Sequence, residues 1–210
     1  TEEGYAFLWQ AYQQEYGPVP IAVARPHHLI IAGQTAELDA RLSRAPDAKI
    51  TRYEWTFTDG STATGSRVRR TYPTPGSFSE ILQVTDEKGR ISYDFAVVQV
   101  QASKSGPKPE DVPPTVHAVY YPTTGIRPGQ LIVFKARTFR TTANEEIWDF
   151  GDGSPKQRTK SDGNAVKLAL DGYAVITHKY DTPGDYIVRV ERSNDRGETG
   201  MAHLWVRVQE

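Results

Sequence analysis

The chain repeats itself, and a repeat of this length restricts it to two copies of one domain. The run Glu54-Trp55-Thr56-Phe57-Thr58-Asp59-Gly60-Ser61 returns 93 residues later as Ile147-Trp148-Asp149-Phe150-Gly151-Asp152-Gly153-Ser154. Tyr72-Pro73-Thr74-Pro75-Gly76-Ser77-Phe78 returns 108 residues later as Tyr180-Asp181-Thr182-Pro183-Gly184-Asp185-Tyr186, so the second copy carries 15 extra residues between the two motifs. They fall around 156–175, where Ala165–Leu170, Asp171-Gly172 and Tyr173–Thr177 read as a hairpin on a two-residue turn. With 210 residues in all, each copy has the size of a small domain.

Within each copy, short alternating apolar runs stand between Gly, Pro, Asp and Thr, as strands do. In the first copy these runs are Leu29–Ile31, Ala36–Leu38, Tyr53–Phe57, Phe78–Val84 and Ser92–Val100. A polar, proline-rich strap over 103–114 separates the copies and has nothing to bury. The opening residues differ: Tyr5, Leu8, Trp9, Tyr12 and Tyr16 recur at spacings of three and four, one stripe of a helix that Gly17-Pro18 ends. A helix this short is marginal in water and needs a surface to cover. The expected architecture is therefore all-β: a helix and linker over 1–24, sandwiches over 25–102 and 115–210, and the strap between them.

The motif Trp148–Ser154, followed by His178-Lys179-Tyr180 and Pro183–Tyr186, resembles the signature of the polycystic-kidney-disease (PKD) domain. The resemblance implies two immunoglobulin-like β-sandwiches. The first copy departs from it, with Thr56 and Thr58 in place of Asp and Gly, and Arg70 in place of His. Trp and Phe two apart on a strand share a face and fill the space between sheets. Asp-Gly supplies the turn that follows. Tyr72 and Tyr180 resemble the tyrosine-corner device of sandwich folds.

Charge and motif searches narrow the functions. The chain has 25 basic and 26 acidic side chains. Neither copy carries the basic excess that phosphate binding calls for. It has no cysteine, so thiolate chemistry and disulfides are excluded. Its five histidines form no metal-binding pair, and no nucleophile elbow or phosphate loop occurs. Asp149, Asp152 and Asp162 are oxygen ligands available to calcium, but their spacing fits no EF-hand loop and turn capping is favoured. No cofactor is expected. Apolar runs stay well short of the ~18 residues of a membrane span. A chain opening on Thr1 fits a processed protein or a fragment.

One surface is anomalous. Strand parity turns Tyr93, Phe95 and Val97 outward in the first copy, and Met201, His203 and Trp205 in the second, with Ile81 and Ile187 beside them. A half-buried strand should be polar there, so these faces are candidate contact surfaces for the N-terminal helix, the other domain, a partner protein or a sugar ring. The expected role is that of a non-catalytic spacer and protein or polysaccharide interaction module in a larger bacterial protein. The alternative is a carbohydrate-binding accessory module of a polysaccharide-degrading enzyme. The resemblance implies an extracellular, periplasmic or cell-surface setting and neighbouring domains as partners.

Overall fold

The computed structural model describes residues 17–102, 112–163 and 172–210. Among these every regular element is a strand. The expected N-terminal helix, most of the strap and the Ala165–Leu170 arm of the expected hairpin lie outside the described residues.

The first domain holds β1 (His28–Ile31), β2 (Thr35–Asp39), β3 (Ile50–Thr56), β4 (Thr62–Thr64), β5 (Arg67–Thr71), β6 (Gly76–Asp86) and β7 (Ile91–Gln101). One sheet runs β1-β7-β6-β3-β4, with β1 parallel to β7, and β2 pairs with β5 across the sandwich. Residues 18–24, read from sequence as linker, pack here: Ala22 and Ala24 are in the core, and their amides bond Ser92 Oγ (3.3 Å) and Asp94 Oδ2 (2.7 Å).

The second domain holds β8 (Thr115–Tyr121), β9 (Ile132–Phe139), β10 (Glu146–Asp149), β11 (Gln157–Thr159), β12 (Ala174–His178), β13 (Gly184–Ser193) and β14 (Thr199–Val208). Its sheets run β14-β13-β10-β11 and β12-β9-β8. Of the 15-residue insertion, the described ends join different sheets, β11 pairing with β10 and β12 with β9.

Each core centres on the repeated aromatic pair. Trp55 and Trp148 are fully buried, and their indole N–H groups donate to Gly65 O (3.1 Å) and Thr159 Oγ1 (2.8 Å). Removing 150–250 Å² of such a ring from water is worth about 4–6 kcal/mol as an upper bound. Behind Trp148, Phe134 and Phe150 complete an edge-to-face cluster. A single parallel bridge, Gly200 to Ser77, joins β14 to β6, so the two larger sheets form one nine-stranded sheet.

Candidate functional site at the domain junction

The two anomalous strand faces meet each other. β7 and β14 lie across the junction in opposite directions: Tyr93 packs edge-on against Trp205 with ring centroids 5.4 Å apart, and Phe95 stacks on His203 at 5.7 Å. Arg207 Nη2 donates to Ile91 O at 3.2 Å. Met201 and His203 are buried, while Tyr93, Phe95, Val97 and Trp205 are half-buried. Val97 sits at the margin, its amide donating to His27 Nδ1 at 3.0 Å. In the structure these two faces are packed against each other, each against the other domain. Polar ends of the rings are kept bonded: Tyr93 Oη donates to Gln83 Oε1 (2.8 Å), and Trp205 Nε1 to Asp185 Oδ1 (2.7 Å). Burial, reinforced by the Arg189 charge, lowers the His203 imidazole to about 4, and its Nδ1 has no hydrogen-bond partner. His203 therefore enters the junction as a neutral ring.

At one end the junction opens into a cleft of about 650 Å³, walled by Asp59, Arg70, Tyr72 and Phe78 from the first domain and Arg189, Glu191 and Met201 from the second. Arg70 is held from three sides. Its guanidinium lies 4.3 Å over the Phe57 ring, pairs with Asp59 at 2.9 Å, and approaches Glu80 at 3.6 Å. The Arg70 and Ser61 hydrogen bonds hold Asp59 well below the usual carboxylate range. Glu80 has no exposed side-chain surface. Burial pushes its carboxyl upward, against the Thr58 amide bond (2.8 Å) and the Arg70 charge. The Tyr72 hydroxyl is buried against this carboxyl, and burial first, then the Glu80 charge, raises it. The cleft therefore presents two acid–base pairs, Arg70–Asp59 and Arg189–Glu191, beside an apolar floor.

The acidic residues considered for calcium are engaged elsewhere. Asp149 caps the Gly151 amide (3.1 Å) and pairs with Lys156 (3.4 Å). Asp152 caps Ser154 N (3.0 Å) and pairs with His178 (2.6 Å); these bonds hold it low although burial opposes them. Asp162 pairs with Arg137 at 2.7 Å. Among the described residues, no three histidine or acidic side chains converge on one point, whereas calcium takes 6–8 oxygens.

Sequence reasoning missed two features. Glu80 and the Glu146–Arg192 pair (2.9 Å, both fully buried) lie inside the sandwiches. The available signal was a charge in the apolar phase of a strand, Glu80 between Phe78 and Leu82, and Arg192 after Val188 and Val190. The other is the outer face of β8-β9-β12, where Val119, Tyr121, Tyr173 and Val175 stand exposed.

Comparison with known proteins agrees with this architecture. One PKD domain profile matches residues 18–101 and a second matches 117–204. A microbial collagenase of Vibrio alginolyticus is 29% identical over 104 residues, 47% of this chain and 13% of that protein. Collagenase ColA of Clostridium perfringens is 28% identical over 85 residues, 40% of this chain and 8% of that protein. The PKD1 domain of the Vibrio cholerae metalloprotease PrtV is 28% identical, with a TM-score of 0.35, covering 39% of this chain and 96% of that domain. The chain thus spans a small part of the collagenases it matches. No helix among the described residues is long and apolar enough to cross a membrane. PKD domains are non-catalytic accessory modules of larger enzymes such as collagenases, and the chain belongs to that family as two PKD domains in tandem.

Proposed function

We propose that the tandem is a rigid, non-catalytic spacer in a larger secreted or cell-surface protein, fixing the separation and orientation of the domains on either side. The packing of the β7 and β14 faces supports this reading, because it joins the domains through aromatic contacts and a hydrogen-bonded bridge as well as a tether. Well-placed aromatic pairs add about 0.5–1.5 kcal/mol each beyond their buried area. Small-angle scattering tests it. The wild type should give one compact, elongated particle, and Trp205→Asp should lengthen the maximum dimension. A wild-type curve typical of two freely jointed beads removes the spacer reading.

A second reading is polymer docking for a neighbouring hydrolase. The likeness to two collagenases favours a fibrous protein over a polysaccharide as that polymer. The cleft, with its paired charges and apolar floor, suits a peptide or sugar segment. Co-sedimentation with insoluble collagen, cellulose and chitin separates the cases. Retention on collagen alone supports the protein fibre, retention on a glycan reverses the preference, and no retention leaves the spacer.

A further inference from the structure

The two domains share a fold, but the outer faces of their smaller sheets differ in kind. In the first domain the register sets Glu37 opposite Arg69 and Asp39 opposite Arg67, while Ala36, Leu38 and Val68 turn inward and are buried. The outside of β2-β5 is thus a lattice of opposite charges, as suits a solvated sheet face. The match of Gly33 with Gly129, carried along the strands, puts Val133 in the place of Glu37 and Lys135 in that of Asp39. Across from them, Thr177 and Val175 take the places of Arg69 and Arg67.

The exchange leaves a face that is apolar and basic together. β8, β9 and β12 hold no aspartate or glutamate between them. Their outer face carries His117, Lys135 and Arg137, and exposed Lys179 follows β12 directly. Arg137 is neutralised by Asp162 at 2.7 Å. Of the seven large apolar side chains left exposed among the described residues, Val119, Tyr121, Leu131, Tyr173 and Val175 belong to this face or its margin. Tyr121, Lys135 and Tyr173 fall on one diagonal, each one strand and two residues from the next, with Val119 and Val175 on either side of the lysine. An apolar patch concentrated in this way marks a contact surface. The junction is made by β14, in the other sheet, so domain docking does not cover it.

Composition and size narrow what the face can meet. Valine and leucine side chains offer a hydrophilic glycan neither a hydrogen bond nor a ring to stack on. Strands about 4.8 Å apart, rising about 3.4 Å per residue, make the sheet about 10 by 23 Å. Even doubled for side-chain relief, that area falls short of the about 800 Å² each partner contributes to a stable protein interface. A bilayer sets no such minimum. It suits apolar side chains that enter the headgroup region, tyrosines at that level, and a lysine whose stem lies along apolar surface while its charge reaches anionic headgroups.

From these observations we infer that the β8-β9-β12 face binds the surface of a bilayer carrying anionic lipid headgroups, with Val119, Tyr121, Leu131 and Val175 in the interface and Lys135 at the headgroup charge. The inference does not depend on the spacer or polymer readings.

Co-sedimentation of the full chain with vesicles tests it. The protein should pellet with phosphatidylcholine vesicles that contain phosphatidylglycerol, stay in solution with phosphatidylcholine alone, and be released as salt is raised. Lys135→Glu changes the charge of the face by two and should weaken binding about 30-fold. Arg69→Glu makes the same change in net charge on the exposed outside of β5 and should leave binding as it was. Tyr121→Ser, at a side chain 75% exposed, should weaken binding severalfold at low salt. All three side chains are exposed, so unfolding midpoints should stay close to that of the wild type. The inference is overturned if neither vesicle retains the protein, or if Lys135→Glu and Arg69→Glu lose binding alike, which would make net charge the cause. Retention on immobilised polyglutamate without vesicle binding also overturns it and gives the face to an acidic protein.

Discussion

His178 of the second domain and Arg70 of the first occupy matching positions after the repeated Trp motif. His178 lies flat on Phe150, with ring centroids 4.0 Å apart and planes 3° from parallel, and bonds Asp152 at 2.6 Å. Arg70 lies 4.3 Å over Phe57 and pairs with Asp59 at 2.9 Å. A planar guanidinium reproduces the stacking and the bond of a planar imidazole, which the compact ammonium of a lysine could not do. The exchange brings others with it. Arg70 Nε points inward, and Glu80 faces it where the second domain has Val188. Glu80 then takes the Thr58 amide, whereas the matching Gly151 amide is capped by Asp149. Tyr180 Oη donates to Phe150 O at 3.0 Å, but Tyr72 Oη is turned to the buried acid and lacks that bond. Gly151 itself has φ +76°, and a Cβ there would lie 2.6 Å from Ile187 O, so a threonine fits only the rearranged version. The departures of the first copy from the family motif are one coupled set.

The strongest way to break the comparison is at the other buried ion pair. Glu146→Ala strands Arg192 in the second core and should cost about 3–5 kcal/mol in chemical denaturation. Installing the first domain's residues at both positions, Glu146→Tyr with Arg192→Val, should recover most of it. If the double exchange is no better than the single, the two cores are not equivalent at this point.

Lowering the pH probes the junction. His203 has a depressed folded value of about 4 against an ordinary 6.5, so the undocked state binds the proton more tightly. Docking is at full strength above pH 6.5 and weakens as pH falls from 6.5 toward 4, by about 1.4 kcal/mol per unit. Particle dimensions across that range should expand, and His203→Phe should flatten the response. A wild-type profile constant from pH 7 to 4 contradicts the buried neutral ring.

The coupled set gives a smaller effect. Arg70→His alone leaves Glu80 without its cation and should cost about 1–3 kcal/mol, and adding Glu80→Val should return part of that. A thermal double-mutant cycle reads the coupling, and additive losses would mean that the positions are independent. At the bottom of the scale, Lys156→Ala removes an exposed partner of Asp149 and should change stability by no more than about 0.5 kcal/mol.

Alternation with period two made most of the fold readable: the runs at Tyr53–Phe57, Phe78–Val84 and Ser92–Val100 are β3, β6 and β7. Parity also placed Tyr93, Phe95, His203 and Trp205 on outward faces. It could not say what covers them, because docking depends on how two sandwiches fit, which no single strand records. Glu80 shows the converse limit. Its position in β6 points it inward, but the partners that make this tolerable, Thr58 and Arg70, come from 22 and 10 residues away. Val119 and Tyr121 are not legible in the same way, because the residues of β8 do not by themselves record which of its two faces the second sheet covers.

The bridge between Ser77 and Gly200 has a mechanical consequence. Gly200 also lies so close to the start of the second domain that a Cβ would come within 2.5 Å of Pro114 O. The place where the strap enters the second domain therefore coincides with the place where the sheets are stitched together. Tension between the ends of the chain arrives first at this stitch and at the ring contacts aligned behind it, and they must peel apart before the strap can take up slack. Under pulling, the pair should hold its length and then extend in one abrupt step, as a clasp does and a hinge does not.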